Sequence, residues 1–338
     1  MSTVSALIPT YNRDEHIGGA IETVLGQTYD DVEAVVVDDG STDGTEAVLD
    51  EFRDREGVRV LHNDRNQGIA YSFNRAADAA TGEYYCILGD DDRWHRSKVE
   101  RQVARMRSLP PEYGIVYTGG VSTIDGRIVR EFRPSVLGDI YPEIFRDFPL
   151  APHSGHMLRR AAFESVNGFD TDFPHGVDWE MNIRLARDWK YAGIDTPLVN
   201  RRLHDGNVST GQVSRAESYE RVRRKYADEI SRHPRIEKAF HDEWRRVRAH
   251  AAIENGDRLS GVKYGLSALR HDPAVLTATL PIVSVLGPAA YRVALWIQRR
   301  RTNGSDRDSD SFRRTARRWW IDDPGQFETA SMSAIATD

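Results

Sequence analysis

Along the first 120 residues, short apolar runs alternate with amphipathic stretches. The runs at 4–8, 32–37, 58–61, 84–88 and 115–117 are bounded by polar or turn-forming residues and predict strands. Between them, apolar residues recur at three- and four-residue spacing over 17–25, 45–52, 69–80 and 98–106, which predicts helices. Strand and helix in alternation predict an α/β fold, a mostly parallel sheet flanked by helices. Every early strand ends in polar residues: Pro9-Thr10-Tyr11-Asn12, Asp38-Asp39-Gly40-Ser41, Asn63-Asp64 and Asp90-Asp91-Asp92. Ligands of such sheets bind beyond the carboxyl ends of the strands, so these four ends should line one cleft.

Beyond residue 120 the pattern loosens. Asp125-Gly126 within VSTIDGRIVREF predicts a hairpin turn, and a helix is expected over 179–189. Residues 215–269 are charged and helix-forming, broken near Pro234 and Gly256, and read as a helical appendage. The boundaries expected are a main domain over 1–210 (1–120 and 121–210 as its halves), the appendage over 211–272, an apolar segment over 273–298 and a mobile tail over 299–338. Within the apolar segment, 274–297 carries Pro281, Pro288 and Arg292, so a clean membrane span is not expected. Arginines follow it at 299–301, and Trp319-Trp320 come after Arg313, Arg314, Arg317 and Arg318. Apolar residues flanked by arginine and tryptophan read as a surface-lying membrane contact through 273–320; the other reading is an amphipathic helix packed on the main domain.

Composition narrows the classes. The 338 residues carry a formal net charge of −6, which argues against a generic nucleic-acid binder. The single cysteine, Cys86, leaves no intrachain disulfide framework and no cysteine-based zinc site, as in a reducing cytoplasm. The chain opens on the strand-like VSALIP, so no signal peptide is expected; the location expected is cytoplasmic, peripheral on the inner face of the cell membrane.

The candidate chemistry sits at the strand ends. Asp90, Asp91 and Asp92 are three adjacent carboxylates, whose repulsion is about 4 kcal/mol per pair at 4 Å and an effective dielectric near 20. Hard divalent cations use such oxygens together with substrate phosphates; a solvated loop with Asp92 capping the next helix is the other use. Asp38 and Asp39 can accept hydrogen bonds from a base or ribose, or serve as turn residues. Tyr11 can stack on a base, or be a half-buried tyrosine.

IPTYNR at 8–13, VDDGSTDGT at 37–45, NQGIAYSFNRAADAATGEY at 66–84 and LGDDDRW at 88–94 together resemble the family 2 glycosyltransferases. GHMLRRAAFESVNGFD at 155–170, VDWEMNIRLA at 177–186 and His204 extend the resemblance over 1–210. It implies the GT-A fold and an inverting transfer of sugar from a nucleotide diphosphate sugar, with Mn²⁺ or Mg²⁺ as cofactor. It also implies an acceptor that is a glycan or lipid-linked hydroxyl.

By position, the resemblance implies that Pro9, Tyr11, Arg13, Asp38 and Asp39 bind the nucleoside, with Asp39 favouring uridine. Asp91 would touch the ribose and diphosphate. Asp92 is the implied metal ligand, with Asp90 and His204 beside it. Asp178 is the implied base, and Glu180 the fallback. Two departures stand out: Gly89 replaces the first acid of the family's Asp-any-Asp-Asp pattern, and Val177 replaces the glutamate before Asp178. A sugar-phosphate nucleotidyltransferase would need a glycine-rich basic loop after the first strand, and none precedes Gly18. A non-catalytic binding or scaffolding protein on the same fold is the remaining alternative.

Overall fold

The computed structural model describes residues 4–146, 150, 152–204, 212–271, 284 and 310–322. The chain divides into two compact units: 1–140, 149–205 and 309–338 in the first, 141–148 and 206–308 in the second.

The first unit opens with β1 (Val4–Thr10), α1 (Asp14–Leu25), β2 (Val32–Asp38), α2 (Thr45–Asp50), β3 (Val58–His62), α3 (Ile69–Ala79) and β4 (Tyr84–Ile87). These are the predicted strands and helices, within a few residues. β1 pairs in parallel with β2 on one side and β4 on the other, and β3 adds to β2. The order β3-β2-β1-β4 places a topological switch point at β1, so the loops after β1 and β4 open onto one crevice. β1 and β2 are buried on both faces and read as continuous apolar runs; Ile8, Ala34 and Val36 pack with Ile17, Ile21 and Val24 of α1 and Leu49 of α2.

Then come β5 (Arg93–Trp94), α4 (Lys98–Arg107), β6 (Tyr113–Ile124), β7 (Arg127–Phe132), β8 (Met157–Arg159), α5 (Arg160–Ser165), α6 (Val177–Leu185) and β9 (Lys190–Arg202). β8 joins the two halves of the sheet, antiparallel to both β4 and β6. β9 runs parallel to β6, and β5 closes the edge against β9. The β6–β7 hairpin turns at Asp125 (φ 48) and Gly126 (φ 69), both in the left-handed region that a two-residue hairpin turn requires.

The second unit is helical: α7 (Gln212–Lys225), α8 (Ala227–Ser231), α9 (Pro234–Glu254) and α10 (Arg258–His271). Pro234 starts α9, and Gly256 (φ 74) follows its end, as the two predicted breaks require.

One expectation is overturned. Residues 310–322, expected within a mobile tail, form α11 (Asp310–Arg317) and a π-helical turn (Arg318–Asp322). Phe312, Ala316 and Trp320 fall on one helical stripe and bury against Val121 of β6. Segment 274–297 lies outside the described residues, apart from Ser284. Among the described residues, no helix is long and apolar enough to cross a membrane.

Candidate functional site

The loops after β1 and β2 are stitched together. Asn12 sits in the left-handed region (φ 53); its N–H donates to Ser41 Oγ at 2.9 Å, and its Oδ1 accepts from Thr42 N–H at 2.8 Å. Arg13 N–H donates to Thr45 Oγ1 at 2.8 Å. Asp38 Oδ1 accepts from Ser41 N–H (3.1 Å) and Oγ (2.5 Å), and its Oδ2 lies 3.2 Å from His62 Nδ1. Asp38 is therefore committed to its own turn.

Asp39 faces the next loop. Its Oδ1 accepts from Asn63 Nδ2 (2.6 Å) and Gln67 N–H (2.8 Å), and its Oδ2 accepts from Gly68 N–H (2.8 Å). A carboxylate has about four acceptor positions, which leaves one on Oδ2 for a further donor. Gly40 has φ 75, and a Cβ there would meet the Arg65 backbone at 2.7 Å; only glycine lets these loops approach so closely. Pro9 is buried in β1, and Tyr11 is 41% exposed at the mouth of the crevice.

The three adjacent aspartates answer their repulsion by turning to different partners. Asp90 Oδ1 lies 3.9 Å from Arg13 Nε. Asp91 Oδ2 lies 3.2 Å from His204 Nε2. Asp92 Oδ2 accepts from Ser154 Oγ, whose oxygen in turn accepts from Gly89 N–H at 3.0 Å. The compensation is incomplete. Burial, followed by the Asp91 charge, pushes Asp90 up to about 7, and the same causes raise Asp92 well above the ordinary carboxylate range. Asp92 Oδ1 is buried with no hydrogen-bond partner among the described residues. A Cβ on Gly89 would stand 3.3 Å from Asp91 Oδ1 and 3.4 Å from Asp92 Oδ2, so glycine here spares the loop another side chain against its carboxylates.

Asp178 lies in the first turn of α6, and its Oδ1 accepts from Trp179 N–H at 2.9 Å. Burial raises its pKa, opposed by that hydrogen bond and by the positive charge of Arg201. Arg201 also acts on Asp92, so the predicted base and the acid loop share one electrostatic neighbourhood. Sequence reasoning missed Ser154, His156 and Arg201. His156 is fully buried and held neutral: burial first, then His153, pushes it down to about 3.

Two expectations need correction. Glu180, the expected fallback base, is instead fully buried against Arg184, which donates Nε (2.9 Å) to Oε1 and Nη2 (2.6 Å) to Oε2. The three expected metal ligands, Asp90, Asp92 and His204, are not assembled around one point. Among the described residues, no group of three or more His, Cys, Asp or Glu could hold a metal ion. The donor set still fits a hard cation that keeps most of its ligands from water and phosphate, because Asp92 offers a buried, unpartnered oxygen.

Residues 5–166 match the family described as Glycosyl transferase family 2. This region is a family 2 glycosyltransferase domain. A glycosyltransferase of Rickettsia felis is 29% identical over 209 residues, 60% of this chain and 34% of that protein. The chain thus spans about a third of that relative's length. Among solved structures, residues 1–349 of S. aureus TarS in complex with UDP-GlcNAc superpose with a TM-score of 0.60 at 16% identity, covering 87% of this chain and 92% of that one. The mannosyltransferase PcManGT from Pyrobaculum calidifontis, in complex with GDP-Man and Mn²⁺, gives 0.55 at 19%, covering 87% of each chain. At these identities the likeness carries the fold, which is GT-A.

Proposed function

We propose that this glycosyltransferase domain moves a sugar from a nucleotide diphosphate sugar to a hydroxyl of a glycan or lipid-linked acceptor, with inversion. The observation that carries the reading is Asp92 after β4: Ser154 holds its Oδ2, and its Oδ1 is buried with no hydrogen-bond partner among the described residues. The solved relatives hold UDP-GlcNAc and GDP-Man with Mn²⁺, which supports a nucleotide-sugar donor here.

The roles follow from the geometry. Asp39 offers its remaining acceptor position to a base N–H, which favours uracil, and Tyr11 offers an exposed ring to the base. Arg13 sits beside Asp90 and balances its charge near the diphosphate. Asp92 would hold Mn²⁺ or Mg²⁺ through its free oxygen. When bound, that ion neutralises charge developing on the diphosphate leaving group. Asp178 takes the proton of the attacking hydroxyl, and its raised pKa makes it a stronger base than an exposed aspartate. Attack from the face opposite the diphosphate inverts the anomeric carbon.

Of the segment 273–320 expected at a membrane surface, Trp319 and Trp320 pack within the first unit, against Val121 and Phe312. Calorimetric titration of UDP, GDP and dTDP, each with Mn²⁺ and again with EDTA, tests the donor reading. Metal-dependent binding of UDP is the expected result. No binding of any of the three by a folded sample overturns the reading in favour of a scaffold.

A further inference from the structure

The C-terminal segment reaches the acid loop from behind. Trp319 lies flat on His95, with ring centroids 3.9 Å apart and planes 19° apart. Trp320 meets the same imidazole edge-on at 6.4 Å, and its Nε1 donates to the Pro197 carbonyl of β9 at 2.9 Å. The sheet is shaped to receive this segment. A Cβ on Gly119 would meet Phe312 Cε2 at 2.8 Å and the Thr196 carbonyl at 2.9 Å, so β6 carries glycine where the helix docks. The Arg133 guanidinium covers the Phe312 ring at 4.3 Å, and Arg313 pairs with Glu131.

His95 is three residues beyond Asp92, and its main chain is a junction. Its N–H donates to the Leu198 carbonyl at 2.9 Å, and its carbonyl accepts from Lys98 N–H (2.9 Å) and Gln27 Nε2 (3.1 Å). The preceding residue, Trp94, donates Nε1 to the Ser154 carbonyl at 2.8 Å, and Ser154 Oγ donates to Asp92. The chain of contacts therefore runs Trp319, His95, Trp94, Ser154, Asp92. The β5–β9 pairing that closes this edge joins Arg93 to Asn200 and Trp94 to Val199, and Trp319 takes no part in it.

We propose that Trp319 is a positioning residue for the acid loop: its ring clamps His95 and so fixes where Ser154 and Asp92 sit. The consequence for nucleotide binding rests on the donor reading above; the consequence for the loop itself does not. The helix at 310–322 is then a working part of the glycosyltransferase domain, although the matched family region ends at residue 166. Loss of an aromatic stack of this kind should loosen its neighbourhood by about ten-fold, without unfolding a sheet it does not build.

The test uses the full chain, with Trp319→Ala and Trp319→Phe compared by hydrogen exchange and by UDP–Mn²⁺ calorimetry. In Trp319→Ala, the amides of Asp92, His95 and Lys98 should exchange about ten-fold faster while those of β1 and β2 keep their protection. UDP–Mn²⁺ affinity should fall about ten-fold, and Trp319→Phe, which keeps a stacking ring, should restore most of both. Unchanged exchange at those three amides, or an equal acceleration across the whole unit, overturns the proposal. Loop exchange that responds as expected in a wild-type chain that binds no UDP sustains the clamp and overturns the donor reading alone.

Discussion

Ser154 Oγ donates to Asp92 Oδ2 across 62 positions of sequence, and it is a hydrogen bond that holds down the pKa of Asp92. The other oxygen of that carboxylate has no partner among the described residues. Ser154 therefore aims the free oxygen and favours the ionised form against the burial that raises its pKa. Ser154→Ala should weaken Mn²⁺-dependent UDP binding by about ten-fold, since a hydrogen bond to a charged group contributes about 1.5–3 kcal/mol. Replacement by threonine should retain most of the affinity. Calorimetry on the two variants checks this, and equal affinities for alanine and wild type would remove Ser154 from the site.

The acid loop also gives a pH dependence with a defined sign. Asp90 rises from an ordinary value of 3.8 to about 7, driven by burial and then by Asp91. Across that window the folded chain holds a proton that the unfolded chain has lost, so stability falls as pH rises. A cation that binds the ionised carboxylates reverses this trend. The gain in thermal midpoint on adding Mn²⁺ with UDP should therefore be small near about pH 5.5 and large near about pH 8. EDTA should abolish the gain at both. A gain that is the same at the two values would mean that these carboxylates do not take part.

What could be read from the sequence was what is local. Strands β1 to β4, the helices between them, and the Asp125-Gly126 turn follow from periodicity and turn chemistry within a few residues. The acid loop was legible for the same reason: its residues are neighbours in the chain. Ser154, His156 and Arg201 were not, because each reaches the site through the order of β8, β6 and β9, which no local pattern specifies. Ser154 stands between Pro152 and β8 in a stretch with no periodicity to mark it. The tail was misread for a different reason. Tryptophans beside arginines suit a lipid surface and a protein surface equally. The four-residue spacing of Phe312, Ala316 and Trp320 was the signal that a packed helical stripe was present.

Asp178 should behave as a base and not as a binding residue. Asp178→Asn should lower kcat by about 10²–10⁴-fold while UDP–Mn²⁺ binding stays within about two-fold of wild type. Because burial raises its pKa, the acid limb of the wild-type rate profile should lie above the range of an exposed aspartate. Below that limb the carboxyl is protonated and cannot accept from the hydroxyl. Steady-state kinetics across pH, with binding measured in parallel, separates the two effects. Loss of binding along with rate would instead place Asp178 on the donor.

Glu180, two residues on, should fail in the opposite way. It is fully buried, and Arg184 beside it is only 15% exposed and also donates to the Val166 carbonyl. Glu180→Gln removes the charge that compensates Arg184, and breaking a buried pair from one side costs about 3–5 kcal/mol. The expected result is a large drop in unfolding free energy. At a temperature where the variant is still folded, kcat should stay near wild type. Replacing both partners together, Glu180→Met with Arg184→Met, should recover much of the loss, because no unpaired charge then remains buried. Denaturant unfolding of the three variants decides the point. A stable Glu180→Gln with little activity would return this carboxylate to the catalytic machinery.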